Sequence, residues 1–375
     1  MSEAAVLELS RDEAFARIRL LRSPNVGPVS YAQLLRRFGT AAAALEALPD
    51  LAGKRAGGAY RAAPTDRIEA EIAAVRRAGA RYLFHDAPDY PVLLSACDSA
   101  PPILTVRGDL SLAARPCVAV VGARNASAAA VKLARDFSAE LAGHGVTVVS
   151  GLARGIDGAA HRGALAGAAN GGGTIGVIAS GIDIAYPPEH ADLQEEVATN
   201  GLLIAEQPCG TEPLARHFPA RNRIIAGLAA GTLVVEAAPK SGSLITARLA
   251  GEFGRDVMAI PGSPLDSRSH GCNQLIRDGA VLVQRPEDVL ELIEGFTGAP
   301  RSFLREGVQG AGFDLSDADA EPADISGLLT LAPIAVDELI RQSGASPAEV
   351  QMALLELELA GKLVRHAAGR VSLAG

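Results

Sequence analysis

Residues 117–151 read CVAVVGARNASAAAVKLARDFSAELAGHGVTVVSG and contain the repeating unit of the fold. An apolar run at 117–121 ends in a glycine turn, a helical pattern follows, and a second apolar run occupies 146–149. Further apolar runs lie at 174–179, 201–205, 232–236, 257–260 and 280–283. Continuous apolar runs that alternate with helices indicate a parallel sheet covered on both faces. We therefore predict an α/β fold with a doubly wound, mostly parallel sheet.

The length of 375 residues suits two or three domains, and an apolar content of 48% can bury a large core. We predict a small helical module at 1–65 and the α/β domain at 66–296, entered through a helix and a proline-rich extended stretch. Residues 297–322, rich in Gly, Ala, Pro and acidic residues, predict a flexible linker. Residues 323–375 predict a winged-helix-like domain.

Each terminal module leaves two interpretations open. The turn Asn25-Val26-Gly27 resembles a helix-hairpin-helix turn, which either holds a DNA backbone or simply connects two helices. In the C-terminal module, Ser346 caps and Pro347 starts a second helix that Gly361 ends. That helix carries no cation before position 362, so we favour docking to protein over insertion into DNA; its acidic residues are Glu349, Glu356 and Glu358.

The net charge of -8 is unevenly distributed. Residues 286–375 hold 6 Lys and Arg against 15 Asp and Glu, whereas residues 110–285 hold 15 of each and five of the seven histidines. A local cationic site in the central segment is therefore compatible with an acidic molecule. Because no apolar run reaches about 18 residues and no targeting pattern is seen, we expect no membrane insertion and a cytoplasmic location. Four dispersed cysteines without CxxC favour buried thiols, and we expect neither a metal nor a cofactor.

The turn after the first strand, VVGARNAS at 120–127, lacks GxGxxG, so a dinucleotide site is a weak interpretation. Gly122 permits close approach of a ligand, Ser127 can cap the next helix, and Arg124 offers a fork to a phosphate. The alternative for Arg124 is a structural pair with a carboxylate.

The turn after the second strand contains Gly151, Arg154 and Gly155, followed by Asp157 and His161. The last two are four positions apart on a helix and are expected to pair. Such a pair serves either as a general base with its orienting carboxylate or as a structural bond that holds the loop.

Stacking candidates are few because the chain has no tryptophan and only five tyrosines. Tyr186 and Phe218 either stack on bases or pack in the core. The stretch 216–227 is the most cationic, and its turn adds Arg221, Asn222 and Arg223 to the candidate phosphate site.

A last group of candidates follows the strand at 232–236. Caps and open amides precede a helix there and can hold an oxyanion, through Lys240, Ser241, Gly242 and Ser243. Glu236, at the strand end, is either catalytic or, by default, the residue that holds Arg221 or Arg223 in place.

Seven motifs in order resemble the DNA-processing protein A family, also called DprA or Smf: VVGAR, SGLARGIDGAAH, SGIDIAYP, FPARNRIIAG, VVEAAPKSGSLITA, IPG and GCNQLIRDGA. The resemblance is strong over about 90–285, and both terminal modules agree with one subtype of the family. It implies a Rossmann-like, usually dimeric protein that is not an enzyme. Such a protein binds and protects single-stranded DNA and helps to load the RecA recombinase during natural transformation.

The resemblance assigns the phosphate-facing loops to Gly122 and Arg124, to 151–155 and to 221–223. The chain departs from it after Tyr186-Pro187, where it reads Pro188-Glu189-His190 and some relatives offer a lysine. The alternative function is a nucleotide-processing, phosphoribohydrolase-like enzyme that uses Glu236 with His161 or Asp157. Against it stands the lack of an evident nucleophile, metal cluster or carboxylate pair in the sequence.

Overall fold

The structure is a computed structural model that describes residues 9–56, 60–168, 171–294, 324–366 and 369–374. The chain forms two compact units. One unit is Glu71–Leu304, and the other combines Met1–Ala70 with Arg305–Gly375. The predicted linker at 297–322 lies outside the described residues. The two terminal modules, predicted as separate domains, therefore share one compact unit.

The helices and strands follow the predicted alternation closely. The helices are α1 (Arg11–Leu21), α2 (Pro28–Phe38), α3 (Ala41–Ala56), α4 (Thr65–Arg77), α5 (Val92–Ser95), α6 (Ala128–Gly143), α7 (Ile156–Gly167), α8 (Ala191–Asn200), α9 (His217–Leu228), α10 (Gly242–Glu252), α11 (His270–Arg277), α12 (Pro286–Glu294), α13 (Val336–Ser343) and α14 (Pro347–Leu359). The strands are β1 (Arg81–Phe84), β2 (Ile103–Gly108), β3 (Cys117–Val121), β4 (Thr147–Ser150), β5 (Gly173–Gly181), β6 (Leu202–Gln207), β7 (Gly231–Val234), β8 (Asp256–Ala259), β9 (Val281–Leu282), β10 (Ile334–Ala335), β11 (Leu363–His366) and β12 (Arg370–Leu373).

The larger unit contains a nine-stranded sheet in the order β1-β2-β6-β5-β4-β3-β7-β8-β9. All neighbours from β6 to β9 in this order are parallel, which confirms the mostly parallel fold. Strands β1 and β2 add an antiparallel edge that the sequence pattern does not predict. These strands span only four and six residues, and Pro101 and Pro102 precede β2 directly, so their pattern resembles that of a loop.

The sheet is buried on both faces, as strand β3 shows. Its alternate residues enter different cores: Val118 and Val120 join one hydrophobic cluster, while Ala119 and Val121 join the other. Helices α6 and α7 cover the first face, and α9 and α10 cover the second. Side chains that alternate across a strand thus fill two layers, which explains the unbroken apolar runs.

The order in which successive strands join the sheet switches sides at β3. Strands β4, β5 and β6 extend to one side of β3, whereas β7 lies on its other side. The helices that follow β3 and β7 therefore diverge, and a crevice forms at the carboxyl ends of the strands. The turns that carry the predicted binding residues lie at this edge of the sheet.

The smaller unit buries the second helix of the winged-helix segment against the N-terminal helices. Leu355 and Leu359 of α14 belong to the same hydrophobic cluster as Leu20, Leu34 and Leu48. The predicted caps of α14 are present: Ser346 accepts a hydrogen bond from the Glu349 N–H, and Glu349 accepts one from the Ser346 N–H.

The hairpin turn of the N-terminal module contacts the end of α14. Asn25 has a left-handed backbone (φ 60°), and its amide donates a hydrogen bond to the Leu359 carbonyl at 2.9 Å. Gln33 of α2 likewise donates to Gln351 at 2.8 Å. Helix α14 therefore packs against α2, α3 and the turn after α1 of its own chain.

The cysteines are free thiols, and the described helices are not of the kind that crosses a membrane. All four cysteines lie among the described residues, and none forms a disulfide bond. Burial raises the pKa of the Cys117 thiol to about 12. In the described part of the chain, no helix combines the length and the apolar composition that crossing a membrane requires.

Candidate nucleic-acid interface

A cavity of about 300 Å³ lies at the carboxyl ends of β3, β4 and β5. Several predicted residues line it: Arg124, Gly151, Arg154, Tyr186, Phe218 and Arg221. Ala153, which also lines the cavity, belongs to the predicted loop 151–155. The remaining lining residues are ones that the sequence analysis does not single out: Asn125, Ala179, Pro187 and Pro213. Of these, Asn125 could have been found, because it follows Arg124 in the same turn.

Arg124 is held over an aromatic wall. Its guanidinium carbon lies 4.9 Å from the centre of the Phe218 ring. The rings of Phe218 and Tyr186 lie 5.6 Å apart with an interplanar angle of 58°, and Tyr186 is 41% exposed. Arg124 forms no salt bridge with any residue that the structure describes. A cation–π contact orients an arginine without neutralising it, so its charge is available to an anion.

Arg221 forms the floor of the cavity and is only 7% exposed. It donates a hydrogen bond to the Gly151 carbonyl at 3.0 Å and lies 4.0 Å from the Asp157 carboxylate. Burial lowers the pKa of the Arg221 guanidinium, and Asp157 opposes that effect. Asp157 balances the charge of Arg221 but does not line the cavity, so the guanidinium is the member of the pair that faces a ligand.

Arg154 stands at the exposed rim. Its Nε bonds to the carboxylate of Glu189, and both side chains are largely exposed, at 63% and 49%. Because exposed ion pairs are weak, this carboxylate is a displaceable competitor for any phosphate that approaches Arg154.

Two of the predicted glycines, Gly151 and Gly122, leave room for side chains of the protein itself. A Cβ at position 151 would lie 1.7 Å from an Arg221 nitrogen, so only glycine lets this arginine reach the floor. A Cβ at position 122 would lie 2.6 Å from the Ile156 side chain. The sequence predicts that Gly122 lets a ligand approach closely, but in the structure Ile156 lies against it and Gly122 does not line the cavity. Gly155 precedes α7 as its N-cap.

Asp157 and His161 do not form the expected pair, because each binds its own backbone partners. The Asp157 carboxylate accepts hydrogen bonds from the Gly151 and Ala153 N–H groups, at 3.2 and 3.4 Å. His161 is fully buried, and burial lowers its pKa to about 3. The side chains of both residues hold the loop that follows β4, which favours the structural interpretation over a catalytic base.

Glu236 does not hold Arg221 or Arg223, as the sequence analysis expects, but binds Ser127. The structure places its carboxylate at the N-terminus of α6, where it accepts hydrogen bonds from the Ser127 N–H at 3.0 Å and the Ser127 hydroxyl at 2.6 Å. Ser127 itself caps α6, as predicted. A helix N-terminus attracts anions, and the first helix of dinucleotide-binding sheets places a diphosphate there. In this chain its own carboxylate occupies that position.

Arg223 lies away from the cavity and pairs with Glu206. Positions 221 and 223 are two residues apart on α9, about 200° around the helix, so they face opposite sides. Phe218 and Arg221 are three apart and share the cavity face. The prediction that both arginines bind the same phosphate site overlooked this helical spacing.

The other predicted residues also do not line the cavity. Asn222 donates to the Gly242 carbonyl at 3.4 Å, and Ser241 caps α10 by accepting from the Ser243 N–H. Lys240 belongs to the turn before this cap. The N-terminus of α10 is thus built as a capped helix start, separate from the cationic cavity.

The mostly parallel sheet, with an arginine-lined, aromatic-walled cavity at its strand ends, defines a Rossmann-like fold. Three family models match the chain: DNA recombination-mediator protein A over residues 81–294, a DprA-like N-terminal HHH domain over 11–74, and a DprA winged helix domain over 311–369. The chain belongs to the DNA-processing protein A (DprA/Smf) family.

Known relatives agree with this assignment. Protein Smf of Escherichia coli (strain K12) is 38% identical over 316 residues, which cover 83% of this chain and 82% of that protein. The crystal structure of DprA from Streptococcus pneumoniae matches with a TM-score of 0.62 at 37% identity, over 76% of this chain and 98% of that one.

A second solved structure concerns DNA processing protein A from Helicobacter pylori and its unique single-stranded DNA binding mode. It matches with a TM-score of 0.51 at 28% identity, over 57% of this chain and 95% of that one.

Proposed function

We propose that the protein binds single-stranded DNA through its phosphate backbone, without sequence specificity, in the cavity at the ends of β3, β4 and β5. The carrying observation is the convergence of three arginines, Arg124, Arg154 and Arg221, on one concave site. Only one of their carboxylate partners, Asp157, is buried. Arginine forks on phosphates give affinity without reading bases, which supports sequence-independent binding.

A single strand fits the cavity better than a duplex. Tyr186 and Phe218 offer ring faces inside a concave site, and a base must be unstacked to reach them. Bases in a duplex are already stacked and paired. The hairpin turn of the N-terminal module, the other candidate for DNA contact, uses Asn25 to bind α14. We therefore assign duplex binding to neither site.

The alternative, a nucleotide-processing enzyme, has weaker support. Its proposed residues Glu236, Asp157 and His161 are all buried and hydrogen-bonded to the protein, and none lines the cavity. Among the described residues, no group of three or more His, Cys, Asp and Glu side chains could hold a metal. We therefore propose a binding function without catalysis; turnover of any member of a nucleotide panel would overturn this point.

The finer parts of the proposal rest on family membership and on one surface. We propose that the protein protects incoming strands in the cytoplasm, assists RecA loading in natural transformation, and acts as a homodimer. The edge strand β9 exposes Val281 and Leu282, an apolar edge that a second copy of the chain can cover.

The proposal predicts steep salt dependence and a preference for single strands. We expect similar affinities for unrelated single-stranded oligonucleotides, weaker binding to duplexes, and a marked loss of affinity between about 50 and 200 mM salt. Fluorescence anisotropy titrations of matched single- and double-stranded oligonucleotides at both salt concentrations provide the measurement. Equal binding of duplex, or binding insensitive to salt, would contradict the proposal.

Replacing Glu189 with glutamine is expected to tighten binding of single-stranded DNA by about two- to fivefold at low salt, the effect of removing one exposed ion pair. The reason is that Arg154 then has no carboxylate to release before it contacts a phosphate. The matched control is Glu195→Gln, which removes the same charge from a pair with Arg107 outside the cavity. If both variants tighten binding equally, the effect reflects net charge and not the rim of the cavity.

A further inference from the structure

Leu152 has a backbone conformation that leucine rarely adopts. Its φ of 55° is left-handed, and only one other described residue besides glycine, Asn25, has a positive φ. The Leu152 side chain is fully buried in a cluster with Ile178, Val197 and Leu203. A left-handed leucine is strained by contact of its Cβ with the backbone, so surrounding contacts must hold it.

Two histidines hold the two backbone groups of this residue. The Leu152 N–H donates to His161 Nε2 at 3.3 Å. His190 Nδ1 lies 2.9 Å from the Leu152 carbonyl oxygen, and because a carbonyl can only accept, the ring donates. The histidines come from different elements: His161 from α7, and His190 from the turn before α8.

The neighbours of His161 are consistent with one tautomer. Its Nδ1 lies 2.7 Å from the Thr174 hydroxyl oxygen, and that hydroxyl donates to the Val148 carbonyl at 2.9 Å. With its own hydrogen used in this way, the hydroxyl accepts from Nδ1–H, and Nε2 keeps its lone pair for Leu152. Burial lowers the pKa of His161 to about 3, so the ring stays neutral at ordinary pH.

His190 reaches Leu152 across a glycine. A Cβ at position 158 would lie 2.7 Å from the Cε1 atom of the His190 ring. The glycine in the first turns of α7 therefore provides the space in which the imidazole lies against the loop. Gly158 and His190 form one contact, which explains a glycine inside a helix where it would otherwise weaken the helix.

We propose that His161 and His190 are positioning residues of the DNA-binding cavity: they hold Leu152 in its left-handed conformation and thereby set the direction of the loop Gly151–Arg154. On either side of Leu152, Gly151 and Ala153 line the cavity, and Arg154 follows at its rim. If Leu152 relaxed to an ordinary conformation, the chain direction would change between the floor and the rim. The inference rests on the proposed function for its effect on binding, and on the loop geometry alone for its effect on the backbone.

The test uses pairs of variants that remove or keep the hydrogen-bonding atom. His190→Leu and His161→Leu remove it, whereas His190→Asn keeps a donor near the Nδ1 position and His161→Gln keeps an acceptor near the Nε2 position. We expect the leucine variants to bind single-stranded DNA about tenfold more weakly, and the conservative variants to recover most of the affinity. The slope of affinity against salt should be unchanged, because no arginine is removed. His144→Leu, at an exposed position on the C-cap of α6, is the matched control.

Amide hydrogen exchange of Leu152 tests the positioning role of the histidines independently of DNA binding. We expect exchange at Leu152 to be at least about tenfold faster in both leucine variants, under conditions where each is folded. Unchanged exchange at Leu152 in both variants would overturn the positioning role, whatever the binding data show. If the parent chain fails to bind single-stranded DNA, the proposed function fails, and the exchange rates still decide whether the histidines hold the loop.

Discussion

Replacing Arg124 with alanine is expected to lower the affinity for single-stranded DNA by about 10- to 100-fold, the effect of losing one charge-assisted bond to a phosphate. Arg124 lies over the Phe218 ring and forms no salt bridge among the described residues, so its loss removes a cation that is already oriented. The negative slope of log affinity against log salt should fall in magnitude by about 0.7, because one phosphate contact disappears. Anisotropy titrations at several salt concentrations measure both quantities.

A control substitution and a conservative substitution show whether the loss of affinity is specific to Arg124. Arg248→Ala removes an equal charge from an exposed i,i+4 pair with Glu252 on α10, outside the cavity, and should leave the affinity within about twofold. Arg124→Lys keeps the charge but loses the planar fork and its stacking on Phe218, so we expect intermediate affinity. Affinity and salt slope that do not change in Arg124→Ala would remove the cavity as the DNA site.

The second large effect concerns stability. Arg221→Met is expected to lower the free energy of unfolding by about 3–5 kcal/mol, because it leaves the buried Asp157 carboxylate without its cation. The same change removes the hydrogen bond to the Gly151 carbonyl and the positive charge at the floor of the cavity. Urea denaturation followed by circular dichroism measures the loss, and DNA binding should fall to background.

The double variant Asp157→Asn, Arg221→Met separates the two roles of Arg221. Removing the uncompensated charge should restore more than half of the lost stability, whereas binding stays absent because the cation is still missing. A double variant that binds DNA like the parent would contradict the role of Arg221 in the cavity. A stable Arg221→Met single variant would contradict the buried pair.

The stability of Arg221→Met should also depend on pH. Burial raises the pKa of the Asp157 carboxyl, and Arg221 opposes the increase, so removing Arg221 leaves the raised value unopposed by this cation. A carboxyl whose pKa is higher in the folded than in the unfolded state binds more protons when folded, so stability falls as pH rises above the unfolded value of about 4. The stability deficit of Arg221→Met relative to the parent should therefore be smaller at pH 5 than at pH 8.

Patterns within a short stretch of chain predicted much of the molecule. The unbroken runs around β3, β4 and β5 predicted the parallel sheet, because a strand buried on both faces needs apolar side chains at every position. The caps Ser127 and Ser346 were predicted for the same local reason, since each bonds within its own first helical turn. The sequence predicts Arg124 and Arg154 at one site because turns after parallel strands meet at one edge, whereas Arg221 reaches the same cavity from helix α9.

Local pattern was insufficient wherever partners come from distant parts of the chain. Glu236 was expected to hold an arginine, yet its partner is Ser127, 109 positions away. Arg223 was placed with Arg221, although their helical spacing directs it to Glu206. The short strands β1 and β2 carry too few residues to show a period. Strand β2 forms because the edge of β6 offers it hydrogen-bonding partners, and β1 then pairs with β2.

Local propensity and hydrophobic periodicity thus specified the kinds of elements, their order, and the strand-end turns that hold the cations, because these depend on neighbours a few residues apart. Which cations remain unpaired, which carboxylate caps α6, and how two histidines hold Leu152 depend on atoms brought together from separate turns. Those contacts exist only after the sheet has closed its core, because folding alone sets the distances between distant side chains. The docking of α14 on the N-terminal helices is of the same kind, with Leu355 and Leu359 more than 300 positions from the leucines that they contact.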